Sequence, residues 1–208
     1  MKLYYSTGAC SLAPHIVSRE AGIPIELKKV KTKDKTMEGG GDFHKVNAKG
    51  YVPALQLDDG QILTECAVII QYLADLKPES NLAPSAGSIE RYRLQEWLNF
   101  IATDIHKGFS PLFTPNTPDE YKKTARDSLA ANFGWLERQL EGRNYLMGEG
   151  FTVADTYLFT VVNWTNHVQI DLAPWPNLAA FQKRVAARPK VREALRAEGL
   201  LREAENAV

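Results

Sequence analysis

Apolar and polar positions follow two rhythms along the chain, and the rhythm changes near residue 80. Before that point, short strand-like alternations trade places with short helical stripes. Lys2 to Tyr5 reads as a strand, Ser6 to Cys10 as a loop, and Ser11 to about Ala21 as a helix. Leu12, Ile16 and Val17 make a partial apolar stripe in that helix. Ser11 suits the N-cap, where a hydroxyl accepts a bond from an orphan backbone N–H. Pro14 falls in the first turn, where no intrahelical bond is lost, and Gly22 with Pro24 ends the helix. Ile25 to Val30 reads as a second strand, with Ile25, Leu27 and Lys29 on one side. Strand, helix, strand in this order predicts parallel pairing through a helical crossover. Val52 to Leu57 and Gln61 to Leu63 flank Asp58-Asp59-Gly60, a strong hairpin signal. A helix follows from about Glu65 to Leu76, apolar at 67–70, 72, 73 and 76, which implies burial on more than one side.

The order β-α-β, loop, β-hairpin, α is the thioredoxin-like order. Lys77 to Gly87 is dense in turn and breaker residues and reads as a linker. Beyond it nearly everything is helical. The expected organisation is a thioredoxin-like domain over 1–77, a linker over 78–87, and an all-helical domain over 88–208. One helix is expected from Ser88 to Phe109, with Leu94, Leu98, Ile101, Ile105 and Phe109 as a single buried stripe. Thr117-Pro118-Asp119-Glu120 reads as a capping box with proline at the first helical position, opening a helix to about Leu140. Thr152 and Asp155 read as a second, structural cap. Pro176 to Ala187 and Pro189 to Glu198 complete the helices, the last stopped by Gly199. Gly39-Gly40-Gly41 predicts a flexible loop.

Composition narrows the classes. The 208 residues hold 25 Lys+Arg and 25 Asp+Glu, so the net charge is zero. That balance lacks the basic excess of a nucleic-acid partner. Apolar residues at 44% and charged residues at 24% are ordinary globular values. Leu3-Tyr4-Tyr5 is too short for a secretory apolar region, and no run approaches a membrane span. Two cysteines, Cys10 and Cys66, cannot build a disulfide framework, which points to a reducing compartment. A cytoplasmic protein without membrane contact is expected.

Several positions carry chemistry. Cys10 stands just before a helix start, where backbone N–H groups and the helix dipole favour a thiolate. Equally, it is a small apolar residue in a strand–helix corner. The run Cys10-Ser11-Leu12-Ala13 lacks a second nearby cysteine, so an external thiol is the natural partner. Val52-Pro53 either marks a strand edge or, if cis, turns the Val52 N–H and C=O toward an extended ligand. Glu65-Cys66 opens a helix, as an ordinary first-turn acid or as a holder of amino-acid termini. Asn99, Thr103 and His106 make a polar line on an amphipathic helix, either a solvated face or part of a site.

Together these residues resemble the cytosolic glutathione transferases, most closely the bacterial beta class. The carriers are Met1 to Tyr5, Gly8 to His15, Asn47 to Leu55, Leu63 to Ile69 and Gly150 to Asp155. The resemblance implies glutathione bound by the thioredoxin-like domain, with the helical domain forming much of the second-substrate pocket. It expects a cis bond at Val52-Pro53, with the Val52 backbone paired to the cysteinyl part of glutathione and Tyr51 and Pro53 also among the glutathione-binding residues. It places Glu65 and Cys66 at the γ-glutamyl end and Lys35 at the glycine carboxylate. Cys10 is expected beside the glutathione sulfur, able to form a mixed disulfide, with His106 near that thiol. Ser11 lies at the same helix start, and Tyr5 and Ser6 are rival thiol activators. Asn99, Thr103 and Asp104 are expected toward glutathione, Asn99 and Asp104 across a homodimer interface. Phe109, Phe113, Tyr157, Trp164 and His167 are expected to line the hydrophobic substrate site, with core packing as the alternative for the aromatics. No metal is implied. Two positions depart from the family pattern: Cys66 stands where serine is usual, and Ala48 where proline is common. The implied activity is conjugation of glutathione to hydrophobic electrophiles. The alternatives are glutathione-dependent thiol–disulfide exchange through Cys10, or non-catalytic binding.

Overall fold

The computed structural model describes residues 1–201. By contacts the chain divides into two units. One comprises Met1–Leu82 with the segment from Ala187 onward, and the other Ala83–Ala186.

The first unit is built on a five-stranded sheet of order β3-β2-β1-β4-β5. Strand β1 (Lys2–Tyr5) leads through helix α1 (Leu12–Glu20) to β2 (Glu26–Lys31). β1 and β2 are parallel, with Leu3 opposite Leu27, as the crossover requires. β4 (Ala54–Gln56) and β5 (Ile62–Thr64) form the expected antiparallel hairpin, and β4 pairs antiparallel with β1. Helix α2 (Cys66–Asp75) follows. Alternation along β1 divides its side chains between two layers. Leu3 is fully buried, as are Leu12, Ile16 and Val17 of α1 and Ile69, Ile70 and Leu73 of α2. Tyr4 instead packs with Val30, Phe43 and Ala54. The apolar stretch of α2 is thus half accounted for: Val68 and Leu76 remain exposed.

Two elements lie between β2 and β4 where the expectation was only a loop. β3 (Thr36–Met37) pairs antiparallel with β2, and a 3-10 turn spans Phe43–Lys45, its start held by Asp42 accepting from His44 N. Both are too short to leave a periodic signature. Ser11 is a correction. It stands at the N-cap of α1 with helical backbone angles and no side-chain cap bond. Its hydroxyl instead accepts from Ser6 N at 3.1 Å and approaches Ser6 O at 3.2 Å, closing the preceding loop on itself.

The second unit holds α3 (Ile89–Phe100), α4 (Ser110–Phe113), α5 (Asp119–Gln139), α6 (Val153–Val162), α7 (Thr165–Val168) and α8 (Pro176–Ala186). The expected single helix from Ser88 to Phe109 is broken. After α3 the chain widens into a π-helical segment, Ile101–His106, then tightens into a 3-10 turn, Lys107–Phe109. The stripe Leu94, Leu98, Ile101, Ile105 and Phe109 is nonetheless buried throughout. A local change of helical width shifts the polar side chains without losing the apolar face.

The predicted box at Thr117 does not form. The helix starts one residue later, so Pro118 is the N-cap, and the Thr117 hydroxyl donates to Thr114 O at 2.9 Å. The box at Thr152 does form. Asp155 Oδ2 accepts from Thr152 N at 2.7 Å, and Oδ1 accepts from Leu146 N at 2.8 Å. All ten residues of α6 are buried, so the cap lies in the core.

Helix α9 (Pro189–Ala197) corrects the expected boundary at 88–208, because it belongs with the first unit. It packs on α1. Arg188 grips Glu20 with two bonds, Nε to Oε1 and Nη2 to Oε2, each 2.8 Å. A fork-to-carboxylate pair of this kind is among the stronger polar contacts available.

Burial lifts the Asp155 carboxyl to about 6 from an ordinary 3.8, against the pull of its hydrogen bonds. Between about pH 4 and pH 6 the folded chain therefore keeps a proton that the unfolded chain has lost, so Asp155 lends less stability as pH rises through that window. Asp155→Asn turns an amide N–H onto one of the two backbone donors that the carboxylate accepts from, and costs about 2–4 kcal/mol in chemical unfolding. The gap between parent and variant is expected to be wider at about pH 4 than at about pH 7.

Candidate active site

In the first unit the site grows from the loop between β1 and α1. Gly8 has φ +69°, a conformation in which a side chain is strained. Ala9 N donates to Ser6 O at 3.0 Å, making a tight turn that delivers Cys10 to the head of α1. A residue from the other end of the described chain fixes that turn. Glu198, just past α9, accepts from Gly8 N through Oε2 at 2.9 Å, while its Oε1 lies 2.9 Å from His15 Nδ1 on α1. Both side chains are essentially inaccessible to solvent.

Cys10 is buried, and its thiol donates to the Val52 carbonyl at 3.3 Å. Val52-Pro53 is a cis peptide bond, as the resemblance implied. The segment before it is held by Asn47, whose amide donates to Tyr51 O at 2.7 Å and whose Oδ1 accepts from Lys49 N at 3.2 Å. Cys66, the first residue of α2, sends its thiol to Cys10 O at 3.4 Å. Burial is the main cause that raises the Cys66 thiol well above its ordinary value, and charge on Cys10 and Glu65 adds to it.

Glu65 precedes α2 with φ +71°, an unusual angle for a side-chain-bearing residue and one that clusters at functional sites. Its exposed carboxylate pairs with Lys49 Nζ, which also donates to Thr64 Oγ1 at 3.0 Å. A carboxylate beside an ammonium at a helix start offers opposite charges to the two ends of an amino-acid zwitterion. Lys49 and Glu198 escaped the sequence reading. Neither carries a local motif, and Glu198 acts 190 residues away from Gly8.

Lys35 has φ +57°, and its ammonium stands 5.3 Å from the centre of the Tyr51 ring, which is 69% exposed. Tyr5 is buried. Burial, then Glu198, then Glu38 push its hydroxyl above the ordinary phenol value. It is thereby kept a neutral hydroxyl, able to donate and poorly able to ionise.

The helical unit gathers a second group. His106 Nδ1 lies 2.7 Å from the Tyr157 hydroxyl, and the His106 ring meets Trp164 edge-on at 4.9 Å. Trp164 also meets Phe109 and Phe113 edge-on. The unit thus brings together His106, Phe109, Phe113, Tyr157 and Trp164. Phe109 is fully buried core, whereas Phe113 is 48% exposed. His167 lies exposed on α7, outside the ring contacts described for this group. Thr103 Oγ1 lies 3.0 Å from the Asn99 backbone carbonyl and 2.5 Å from Asp104 Oδ2, while His106, the third residue of the predicted polar line, meets Tyr157 instead. Among the described residues no group of three or more His, Cys, Asp and Glu forms a metal cluster.

Comparison with known proteins identifies the class. Residues 7–76 match the glutathione S-transferase N-terminal domain, and residues 100–189 match the C-terminal domain. The chain belongs to the glutathione S-transferase family. It is 50% identical to glutathione S-transferase GstA of Escherichia coli O157:H7 over 200 residues, 96% of this chain and 100% of that one. Among solved structures, a ternary complex of BphK, a bacterial GST, matches with TM-score 0.95 and 56% identity, covering 96% and 100% of the two chains. The bacterial beta class transferase of Sphingomonas chungbukensis matches with TM-score 0.94 and 47% identity, covering 97% and 100%.

Removing the Glu198 carboxylate leaves the Gly8 N–H and the His15 ring without their acceptor in a dry site. Glu198→Ala is expected to cost about 2–4 kcal/mol in urea unfolding, and Glu198→Gln less, because it keeps an acceptor for Gly8. Loosening the turn is also expected to speed alkylation of Cys10, measured by mass spectrometry.

Proposed function

We propose that the protein is a glutathione S-transferase that conjugates glutathione to electrophilic, mostly hydrophobic compounds. The observation that carries this reading is the convergence of Cys10, the Val52 carbonyl and the charged Glu65 at two helix starts of one unit. Glutathione is an extended peptide with a zwitterionic end and a second carboxylate. Val52 offers backbone pairing to its cysteinyl part, as in strand addition. Glu65 takes the α-amino group, the α2 start takes the α-carboxylate, and Lys35 takes the glycine carboxylate. A solved relative with 47% identity, a sphingomonad glutathione S-transferase, is complexed with glutathione.

With the ligand so placed, its thiol lies beside Cys10 at the head of α1. Helix-start N–H groups lower the cost of the thiolate and raise its fraction near neutral pH. The thiolate attacks the electrophilic carbon, and a leaving group such as chloride departs with the bond electrons. Within the helical unit, His106, with Nδ1 2.7 Å from the Tyr157 hydroxyl, is the group suited to hold or move a proton. Phe113 supplies apolar surface for the acceptor, with the buried Trp164 packed edge-on behind it, Tyr157 holding His106, and His167 exposed at the edge. Asn99, Thr103 and Asp104 reach glutathione in a homodimer. Two buried cysteines outside any disulfide support a reducing, cytoplasmic setting, and no described helix is long and apolar enough to cross a membrane. Conjugation fits a role in detoxification or aromatic-compound breakdown.

Binding to immobilised glutathione and turnover of a chlorinated nitroaromatic test the reading together. Failure of both returns the chain to the non-catalytic alternative. Glu65→Gln removes a charge-assisted bond worth about 1.5–3 kcal/mol, so KM for glutathione is expected to rise about ten-fold or more with kcat little changed. An equal fall in kcat would place Glu65 in the chemistry instead.

A further inference from the structure

We propose that Cys10 and Cys66 act as a redox pair, in which Cys66 resolves a glutathione mixed disulfide at Cys10 into an intramolecular disulfide. This rests on the reading of the site as a glutathione site. The pair is not a sequence motif, since 55 residues separate the two cysteines. The fold brings them together because α1 and α2 pack directly and each carries its cysteine at its N-terminal end. The Cys66 sulfur sits 3.4 Å from the Cys10 carbonyl oxygen. That oxygen and the Cys10 sulfur are each two bonds from the same Cα, so Cys66 is packed onto the residue it would attack. Both cysteines are buried, and neither is in a disulfide.

Electrostatics gives the order of events. Charge on Cys10 is one of the causes that hold the Cys66 proton on. When glutathione disulfide meets the Cys10 thiolate, the Cys10 sulfur bonds one glutathione sulfur and a glutathione thiolate leaves. Cys10 is then uncharged, and one obstacle to ionising Cys66 is gone. Cys66 is the first residue of α2, the end of a helix at which the dipole favours an anion. The Cys66 thiolate attacks the Cys10 sulfur, and the second glutathione leaves as its thiolate. In sum, one glutathione disulfide and two protein thiols become one protein disulfide and two molecules of glutathione. Excess glutathione runs the steps backward. The desolvation that holds the proton on Cys66 makes resolution the slow step.

The test is a time course of intact mass under non-reducing conditions after the reduced protein is mixed with glutathione disulfide. The parent is expected to pass through a species one glutathionyl group heavier and accumulate one two hydrogens lighter than the reduced chain. Peptide mapping should join Cys10 to Cys66. Cys66→Ser, which replaces a thiol by a hydroxyl of similar shape, is expected to stop at the glutathionyl adduct, and Cys10→Ser to show neither change. A parent that stops at the adduct as Cys66→Ser does, or whose lighter species maps to another linkage, overturns the pair. So does binding of glutathione, seen by calorimetry, with no change of mass. Absence of glutathione binding by calorimetry overturns the underlying site reading as well.

Discussion

A carboxylate buried near the end of the described chain holds the turn on which the first unit's site is built. Glu198 accepts from the Gly8 N–H on one oxygen and meets His15 on the other, in a place that water does not reach. A buried acid without partners is very costly, so the arrangement is stable only while both partners stay in position. That requirement works in reverse as well: the carboxylate dictates where Gly8 and α1 lie. Cys10 is two residues from Gly8 and immediately before the α1 cap, so its thiol has little freedom. The Ser11 hydroxyl bridges back to Ser6 and closes the same turn from within. The thiol's approach to the Val52 carbonyl depends on these supports as much as on the cysteine itself.

The helical unit uses the same device for a different end. Asp155 sits in the core and gathers the Thr152 and Leu146 backbone N–H groups, fixing the start of α6. Helix α6 carries Tyr157, which meets His106 from the π-helical segment. The width of that segment decides which way His106 and Thr103 face, while the apolar stripe beneath stays buried. Glu137 plays a similar part for α8, accepting from the N–H groups of Asn177 and Leu178 at 3.0 Å each. Each unit therefore positions its chemical groups through a carboxylate at a helix or turn start.

Membership of the glutathione S-transferase family and the geometry of the first unit point the same way. The site is built to meet a peptide with charged ends and a thiol, and the neutral overall charge is no obstacle, because the fields that matter are those of two helix starts and one ion pair. Cys66 stands where the resemblance leads one to expect serine. Its thiol turns inward to the Cys10 carbonyl and is buried. A cysteine here packs a second sulfur against residue 10, which is the basis of the proposed redox pair.

Much of what depends on neighbours in the chain was readable from the residues alone. The β1–α1–β2 crossover, the Asp58-Asp59-Gly60 hairpin and the Thr152–Asp155 cap all follow from short-range periodicity and turn chemistry. The order of five motifs pointed to the family. Local signals misled where two competed. Thr117 and Pro118 offered two helix starts, and the fold took the later one. Ser11 had a loop partner as well as a helix, and the loop won. Tertiary structure alone decided the rest. The Glu198–Gly8 clamp, the Lys49–Glu65 pair, the return of α9 to the first unit and the meeting of Cys10 with Cys66 join residues far apart in the chain. No local pattern encodes such contacts, because their energy exists only once the intervening segments have folded.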